Sequence, residues 1–362
     1  MSRRRSLAGL IGQHFGSFRK SRRKTLTALV FGLLMGRRLG LAAIARRMAG
    51  AVSVRHKIKR VGRFADNKGV RASQATLCLV GWVLSLCLKG PVVALDWTDI
   101  GRGLVMLVAA VALGGRAVPV AWSVMGQRAF SKRRRSRNDA EEQLILRLKD
   151  AFGERRWTLV ADRGFARGAL FRKLNEWGIS YVIRACGTPW VETQKWSGLL
   201  SNIARQPGCS KRYERVLYHK SMQVPVSLVV VHRGMAPEPW YLVTNAPGTR
   251  AIEAAYRRRS WIEEHFRDAK SGLGLDRLRV KRARRIERLL IVAAVAVLVG
   301  IAVGLGWRAE HGAADPQMSS HKRGQSLSAL TLGCELIWAL MLGPLPLSLL
   351  DRPMPLAPEK TL

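Results

Sequence analysis

Residues 92–123 read VVALDWTDIGRGLVMLVAAVALGGRAVPVAWS. The run Val92–Leu95 is apolar and ends in Asp96, as a buried strand would. Leu104–Leu113 and Ala117–Ser123 follow, separated by Gly114-Gly115-Arg116. Three short apolar runs with tight glycine turns predict an antiparallel meander. Beyond a basic loop, Lys132–Arg137, Asn138 is the expected N-cap of a helix reaching about Phe152. Trp157–Ala161 reads as a second buried strand, ending at Asp162. Ala166–Trp177 has helical periodicity and Ile179–Ile183 reads as a strand. The β-β-β-α-β-α order predicts an α/β fold with a mixed sheet flanked by helices.

The flanks are different in character. Residues 186–248 are rich in Pro, Trp and short β-prone runs such as Val224–His232 and Trp240–Thr244, and read as a β-rich insertion. Ala251 to about Gly272 returns to a strong helix, and a polar stretch, His311–Gln325, leads to a last apolar helix, Leu327–Leu342. Residues 1–73 carry nineteen Lys and Arg against one acid, Asp66. Thr25–Met35 and Leu39–Ala49 are helical there, joined by the turn Gly36-Arg37-Arg38, which is what a helix-turn-helix needs. The expected division is a basic helical DNA-binding domain (1–88), a first core segment (89–185), the insertion (186–248), a second core segment (249–310) and a helical tail (311–362).

Charge narrows the function. The 362 residues hold 62 Lys and Arg against 24 Asp and Glu, so the net charge is 62 − 24 = +38. Self-repulsion of that size calls for a polyanionic partner, nucleic acid or an anionic membrane surface. Arg37, Arg38, Arg46, Arg47 and the loop residues Lys132, Arg133, Arg134 and Arg135 suit phosphate contacts, as does Lys281–Arg288. Five scattered cysteines without CxxC spacing exclude a disulfide framework and a zinc site and suit the cytoplasm. The first twelve residues have too short an apolar run for a signal peptide. Leu289–Trp307 is nineteen residues without a charge. It has the length of a membrane span, but no second span of that quality exists, so a buried core helix is expected and no membrane association.

Acids are scarce, so each one in an apolar setting matters. Asp96 and Asp162 both end strands, at the sheet edge where open α/β folds place ligands. Together they read as a cation site. Asp99 competes with Asp96, which is preferred because it directly follows the apolar run. In YRRRSWIEEHFRDAK (256–270), Tyr256, Arg259, Glu263 and Lys270 are spaced 3, 4 and 7 apart. On a continuous helix they fall within roughly a 60° arc, and Glu264 lies about 100° off it. The alternative is a surface ion-pair ladder of Arg259, Glu263 and Arg267.

Those four residues match Y-(2)-R-(3)-E-(6)-K, the signature of the bacterial insertion-sequence transposases of family four, which carry an Asp-Asp-Glu triad. The chain resembles that family through ALDWTDI, ADRGF, EPWYLVTNAPG and YRRRSWIEEHFRDAKSGLGLDRLR. It is most similar to the branch typified by the tetracycline-resistance composite transposon, whose first motif is likewise a D-W-[ST]-D-I string. Residues 1–73 and the C-terminal tail match only in character.

The resemblance implies a ribonuclease-H-like core interrupted by a β-rich insertion. It makes Asp96, Asp162 and Glu263 the catalytic, metal-binding triad, holding two Mg²⁺ ions, with Mn²⁺ as a substitute. Tyr256, Arg259 and Lys270 would hold phosphates of the transposon end. It implies cut-and-paste transposition of double-stranded DNA through nicking, a hairpin, hairpin opening and joining to target, by a homodimer working at the bacterial nucleoid. One position departs: many members have a large residue directly after the Arg, where this chain has Ser260 followed by Trp261. Trp190, Trp196 and Trp240 are candidates to hold a flipped base, Trp240 foremost. The competing readings are a nuclease that does not join strands, a non-catalytic DNA-binding protein and a membrane protein.

Overall fold

The computed structural model describes residues 6–87, 90–131, 136–203, 208–232, 238–312 and 327–340. Helices α1 (Leu7–His14), α2 (Lys20–Gly36), α3 (Leu41–Arg47), α4 (Val54–Asp66) and α5 (Ala72–Leu86) precede strands β1 (Val92–Asp99), β2 (Leu104–Leu113) and β3 (Arg116–Gly126). Helices α6 (Arg128–Ser131) and α7 (Arg137–Phe152) lead to β4 (Thr158–Ala161), followed by α8 (Gly168–Glu176) and β5 (Ser180–Ala185). Next come β6 (Trp190–Glu192), β7 (Ser197–Leu199), β8 (Ser210–Tyr218), β9 (Val224–Val231) and β10 (Trp240–Thr244). Helices α9 (Thr249–Arg257), α10 (Ser260–Arg267), α11 (Ala283–His311) and α12 (Ala329–Leu340) complete the order. The result is mixed α/β, with mostly antiparallel strands flanked by helices. The chain divides into two compact units.

One unit comprises residues 1–89, 97–153 and 263–362. Its strands are the β2–β3 hairpin, whose turn residues Gly114 (φ 57°) and Gly115 (φ 80°) both adopt the left-handed backbone that a two-residue hairpin turn requires. Helix α11 covers β3. Two bonds lock them together: the Trp122 indole donates to the Glu287 carbonyl (3.0 Å), and Glu287 Oε1 accepts from the Val124 amide (3.0 Å). Helix α11 is long and apolar enough to cross a membrane, but 94% of its apolar window is buried inside the protein, as expected of a core helix. Helix α12 packs on it where Gly300, Gly304 and Gly333 bring the two backbones together; a Cβ at Gly304 or Gly333 would collide with main-chain atoms of the facing helix.

In the same unit α2 and α3 meet at 93°, within the range of a helix-turn-helix. Gly32 makes the crossing possible, since a Cβ there would lie 2.6 Å from the Ile44 carbonyl oxygen. One sequence expectation changes. Asn138 does not cap α7; Ser136 does, with its Oγ accepting from the Asp139 amide (3.0 Å) and the Asp139 carboxylate accepting from the Ser136 amide (3.3 Å). Ser136, one residue outside the helix, and Asp139 in its first turn each satisfy the other's free amide, a reciprocal pairing that fixes the start of the helix at Arg137.

The other unit comprises residues 90–96 and 154–262. Its strands run in the order β1-β4-β5-β10-β9-β8-β6-β7. The first three are parallel and the rest pair antiparallel. The β-rich insertion therefore extends the same sheet: β10 pairs directly with β5, Leu242 opposite Arg184. Helix α9 packs against β4 and β5, and α8 against β5 and β9. Val93–Leu95, Leu159–Ala161 and Tyr181–Ile183 are wholly buried, which explains their near-continuous apolar sequence.

Candidate active site

The site begins with strand register. In the parallel pair β1–β4, Leu95 stands opposite Ala161. The next residue on each strand is an aspartate, Asp96 and Asp162. Parallel neighbours lie about 4.8 Å apart, so the pairing sets two carboxylates side by side at the carboxyl edge of the sheet.

The two acids differ in setting: Asp162 follows its strand, whereas β1 continues through Asp96 to Asp99, so Asp96 does not end its strand as the apolar run suggested. Asp162 starts a single 3-10 turn, Arg163–Phe165, and its Oδ1 accepts from the Gly164 amide at 2.9 Å. A Cβ at Gly164 would sit 3.1 Å from that oxygen, so glycine in ADRGF lets the carboxylate close on the backbone. Asp99 is spent differently. Its Oδ1 accepts from the Gly101 amide (2.6 Å) and its Oδ2 from Gln127 Nε2 (2.7 Å), which makes it a turn residue.

Four basic and aromatic side chains of the same unit, Arg259, Tyr256, Arg184 and Trp240, gather about the pair directly or through one another. Arg259 Nη1 lies 3.6 Å from Asp96 Oδ2, both side chains 19% exposed. Tyr256 is buried beside Arg259, Arg184 and Asp162. Burial pushes its phenol above the ordinary value, against the pull of the two guanidinium groups and with a smaller push from Asp162. Trp240 meets Tyr256 edge-on, ring centroids 5.1 Å apart at 71°. Arg184, on β5, is also paired with Glu238 at 3.6 Å. Its place was not read from the sequence, because nothing in YVIRA separates it from a strand residue facing solvent. Of the other tryptophans, Trp190 lies under the Lys220 ammonium (5.4 Å), and Trp196 is 36% exposed at a sheet edge.

The expected single helix through residues 251–272 is not continuous. Helix α9 stops at Arg257, the amides of Arg258 and Arg259 bond back three residues, and α10 begins at Ser260. Lys270 falls in a π-helical turn, Asp268–Gly272. The narrow arc computed for Tyr256, Arg259, Glu263 and Lys270 is therefore not realised, since both the turn and the π segment change the angle per residue. The structure does separate the adjacent glutamates. Glu264 Oε2 is paired with Arg116 Nη1 (3.3 Å) and Arg267 Nη1 (2.8 Å), while Glu263 is exposed. Of the ladder residues, Arg259 lies on Asp96 and Arg267 on Glu264.

Hard carboxylate oxygens are the donors that Mg²⁺ and Mn²⁺ prefer. Asp96 accommodates a cationic neighbour at Oδ2, and Asp162 has one oxygen committed to Gly164. As two donors they fit a divalent ion. Among the described residues no group of three or more His, Cys, Asp or Glu is placed to hold a metal.

The basic surfaces are partly as expected. In the unit that carries α3, a cleft of about 900 Å³ is lined by Arg38, Arg46, Arg277, Arg279, Lys281 and Arg282. Asp66, the acid on its wall, is paired with Arg285 (3.1 Å). Arg47 is exposed beside it in sequence. Arg37 is turned elsewhere: it caps α2 with a left-handed backbone (φ 46°) and binds Glu335 of α12 at 2.7 Å. Arg288 donates to the carbonyls of Ala65 and Val70, so it and Arg285 serve the fold rather than an open phosphate surface. Lys132, Arg133, Arg134 and Arg135 lie outside the described residues.

Comparison with known families now bears on these aspartates. The family described as "Transposase DDE domain" matches residues 89–299, more than half of the chain. The chain belongs to that transposase family. The matched stretch contains Asp96, Asp162 and Glu263 together with Tyr256, Arg259 and Lys270. No curated protein matches. Among solved structures the chain is similar to a piggyBac transposase synaptic complex with hairpin DNA, at 11% identity and a TM-score of 0.43, over 91% of this chain and 75% of that one.

Proposed function

We propose that this member of the transposase family is an insertion-sequence enzyme of the Y-(2)-R-(3)-E-(6)-K type that performs cut-and-paste transposition. The observation that carries the reading is the matched placement of Asp96 and Asp162, each directly after the last paired residue of the parallel β1–β4 ladder, in a chain of this family. Asp96, Asp162 and Glu263 are the carboxylates assigned to the reaction, Glu263 by its place in the Y-(2)-R-(3)-E-(6)-K pattern, while Glu264 pairs with Arg116 and Arg267. Two Mg²⁺ ions, or Mn²⁺ in their place, would supply Lewis-acid stabilisation of the attacking and leaving oxygens.

The protein's own groups position the DNA. Tyr256, Arg259 and Lys270 hold phosphates next to the scissile bond. Trp240, steadied by Tyr256, offers a ring face to an unstacked base. Water attacks phosphorus, the bond to the 3′ oxygen breaks, and a 3′-hydroxyl remains; that hydroxyl then attacks the opposite strand to form a hairpin. After hairpin opening the same hydroxyl attacks target DNA. No protein nucleophile is needed. Arg38, Arg46, Arg47 and the cleft bind duplex DNA through its backbone. Joining two ends calls for a homodimer, and the DNA substrate places the work at the nucleoid of a bacterial cytoplasm.

The experiment is strand transfer from a pre-cleaved duplex made from the DNA flanking the gene. Joined product in Mg²⁺, lost in Asp162→Ala, supports the reading. Cleavage without joining identifies a nuclease instead, and neither activity overturns the assignment.

A further inference from the structure

We propose that Arg116 is a positioning residue for the cleavage reaction, gripping the helix that carries Glu263 by the face next to it. The inference rests on the reading of Glu263 as a reaction carboxylate. Helix α10 is eight residues long, bounded by the Arg258-Arg259 turn and by a π-helical turn. A helix that short has little stability of its own, so its orientation must come from contacts.

Arg116 supplies two. Its Nη1 lies 3.3 Å from Glu264 Oε2 and its Nε lies 3.4 Å from Asp268 Oδ2. Glu264 and Asp268 are four residues apart and share one helix face. The grip spans the junction between α10 and the π turn that holds Lys270. Glu263 is about 100° round the helix from Glu264, so fixing one fixes the direction of the other. The guanidinium is itself anchored: Arg116 is the first residue of β3, paired with Leu113 across the Gly114-Gly115 turn, and its side chain is only 20% exposed. Burial raises the Asp268 carboxyl above its usual range and the Arg116 charge opposes this, as a paired, half-buried acid requires. A lysine carries the charge but not the fork that reaches two carboxylates at once.

The test uses the full-length protein as Arg116→Ala, Arg116→Lys and Glu264→Gln, with Glu263→Gln as reference. Mn²⁺ binding is measured by calorimetry without DNA. Nicking of a supercoiled plasmid carrying the gene's flanking DNA is measured as Mn²⁺ is varied, and DNA binding by anisotropy. The expected result is a roughly tenfold rise in the Mn²⁺ needed for half-maximal nicking in Arg116→Ala, a matching weakening of Mn²⁺ binding, DNA binding within twofold of wild type, and an intermediate Arg116→Lys. Should Arg116→Ala not fold, Arg116→Lys and Glu264→Gln are expected to shift in the same direction by a smaller factor. An unchanged Mn²⁺ dependence beside an inactive Glu263→Gln overturns the role of Arg116 alone. Wild-type nicking by Glu263→Gln overturns the assignment of Glu263, and this inference with it.

Discussion

Arg259 Nη1 stands 3.6 Å from Asp96 Oδ2, so a residue assigned to a DNA phosphate and a residue assigned to a metal hold each other. The contact makes metal and guanidinium competitors for one carboxylate. Arg259→Ala is expected to tighten Mn²⁺ binding in the absence of DNA, by about three- to tenfold in calorimetry, while cutting DNA cleavage. Weaker Mn²⁺ binding in that variant would show that the pairing does not restrain Asp96.

Replacing Asp162 or Glu263 by alanine is expected to lower cleavage by roughly a thousandfold, about 4 kcal/mol at 1.36 kcal/mol per tenfold, with binding to the same DNA unchanged. Parallel gel-shift and cleavage assays check this. Loss of binding with cleavage preserved per bound molecule would count against both as metal donors.

Gly164→Ala is a finer probe. The added Cβ would press on Asp162 Oδ1 at 3.1 Å, so the carboxylate must turn. Cleavage is expected to fall about tenfold while the melting temperature moves by no more than a few degrees, because Gly164 is exposed.

His265 predicts a pH effect on stability. It is buried in the apolar layer with Leu273 and Leu290, and burial lowers its pKa to about 4 from 6.5. The unfolded chain binds the proton more readily, so stability is full above pH 6.5 and is lost as pH falls from there toward 4, by about 3 kcal/mol. Melting curves at pH 7 and pH 5 should separate, and His265→Phe should narrow the gap. An equal gap in the variant would assign the acid sensitivity to other groups.

DNA binding is expected to weaken steeply with salt. Arg46→Ala and Arg277→Ala should each reduce the slope of log affinity against log salt by about one. A slope unaltered by both would place the DNA elsewhere than in the cleft.

The core was legible because its signals are local. Val92–Leu95 and Trp157–Ala161 are apolar runs that end in an acid, and Gly114-Gly115 announces the hairpin. What sequence reasoning missed depends on pairing between distant segments. Arg184 joins Tyr256 only because β5 lies beside β4, and Arg116 reaches Glu264 across 148 positions. The break at Arg258-Arg259 was hidden because Arg is a good helix former and the stretch keeps helical periodicity on both sides. The diversion of Arg37 to Glu335 was equally invisible, since a cation in a turn reads as free until its partner is known.

The alignment of Leu95 with Ala161 also restricts how such a chain can change. Consecutive strand residues point to opposite sides, so inserting or deleting one residue between Val92 and Leu95 would swing Asp96 away from Asp162 and drive buried aliphatic groups outward. Substitutions can retune this edge one side chain at a time, whereas length changes are tolerable only in the turns beyond it. Descendants of this protein should accordingly preserve the spacing within β1 and β4 even where their surfaces have diverged past recognition.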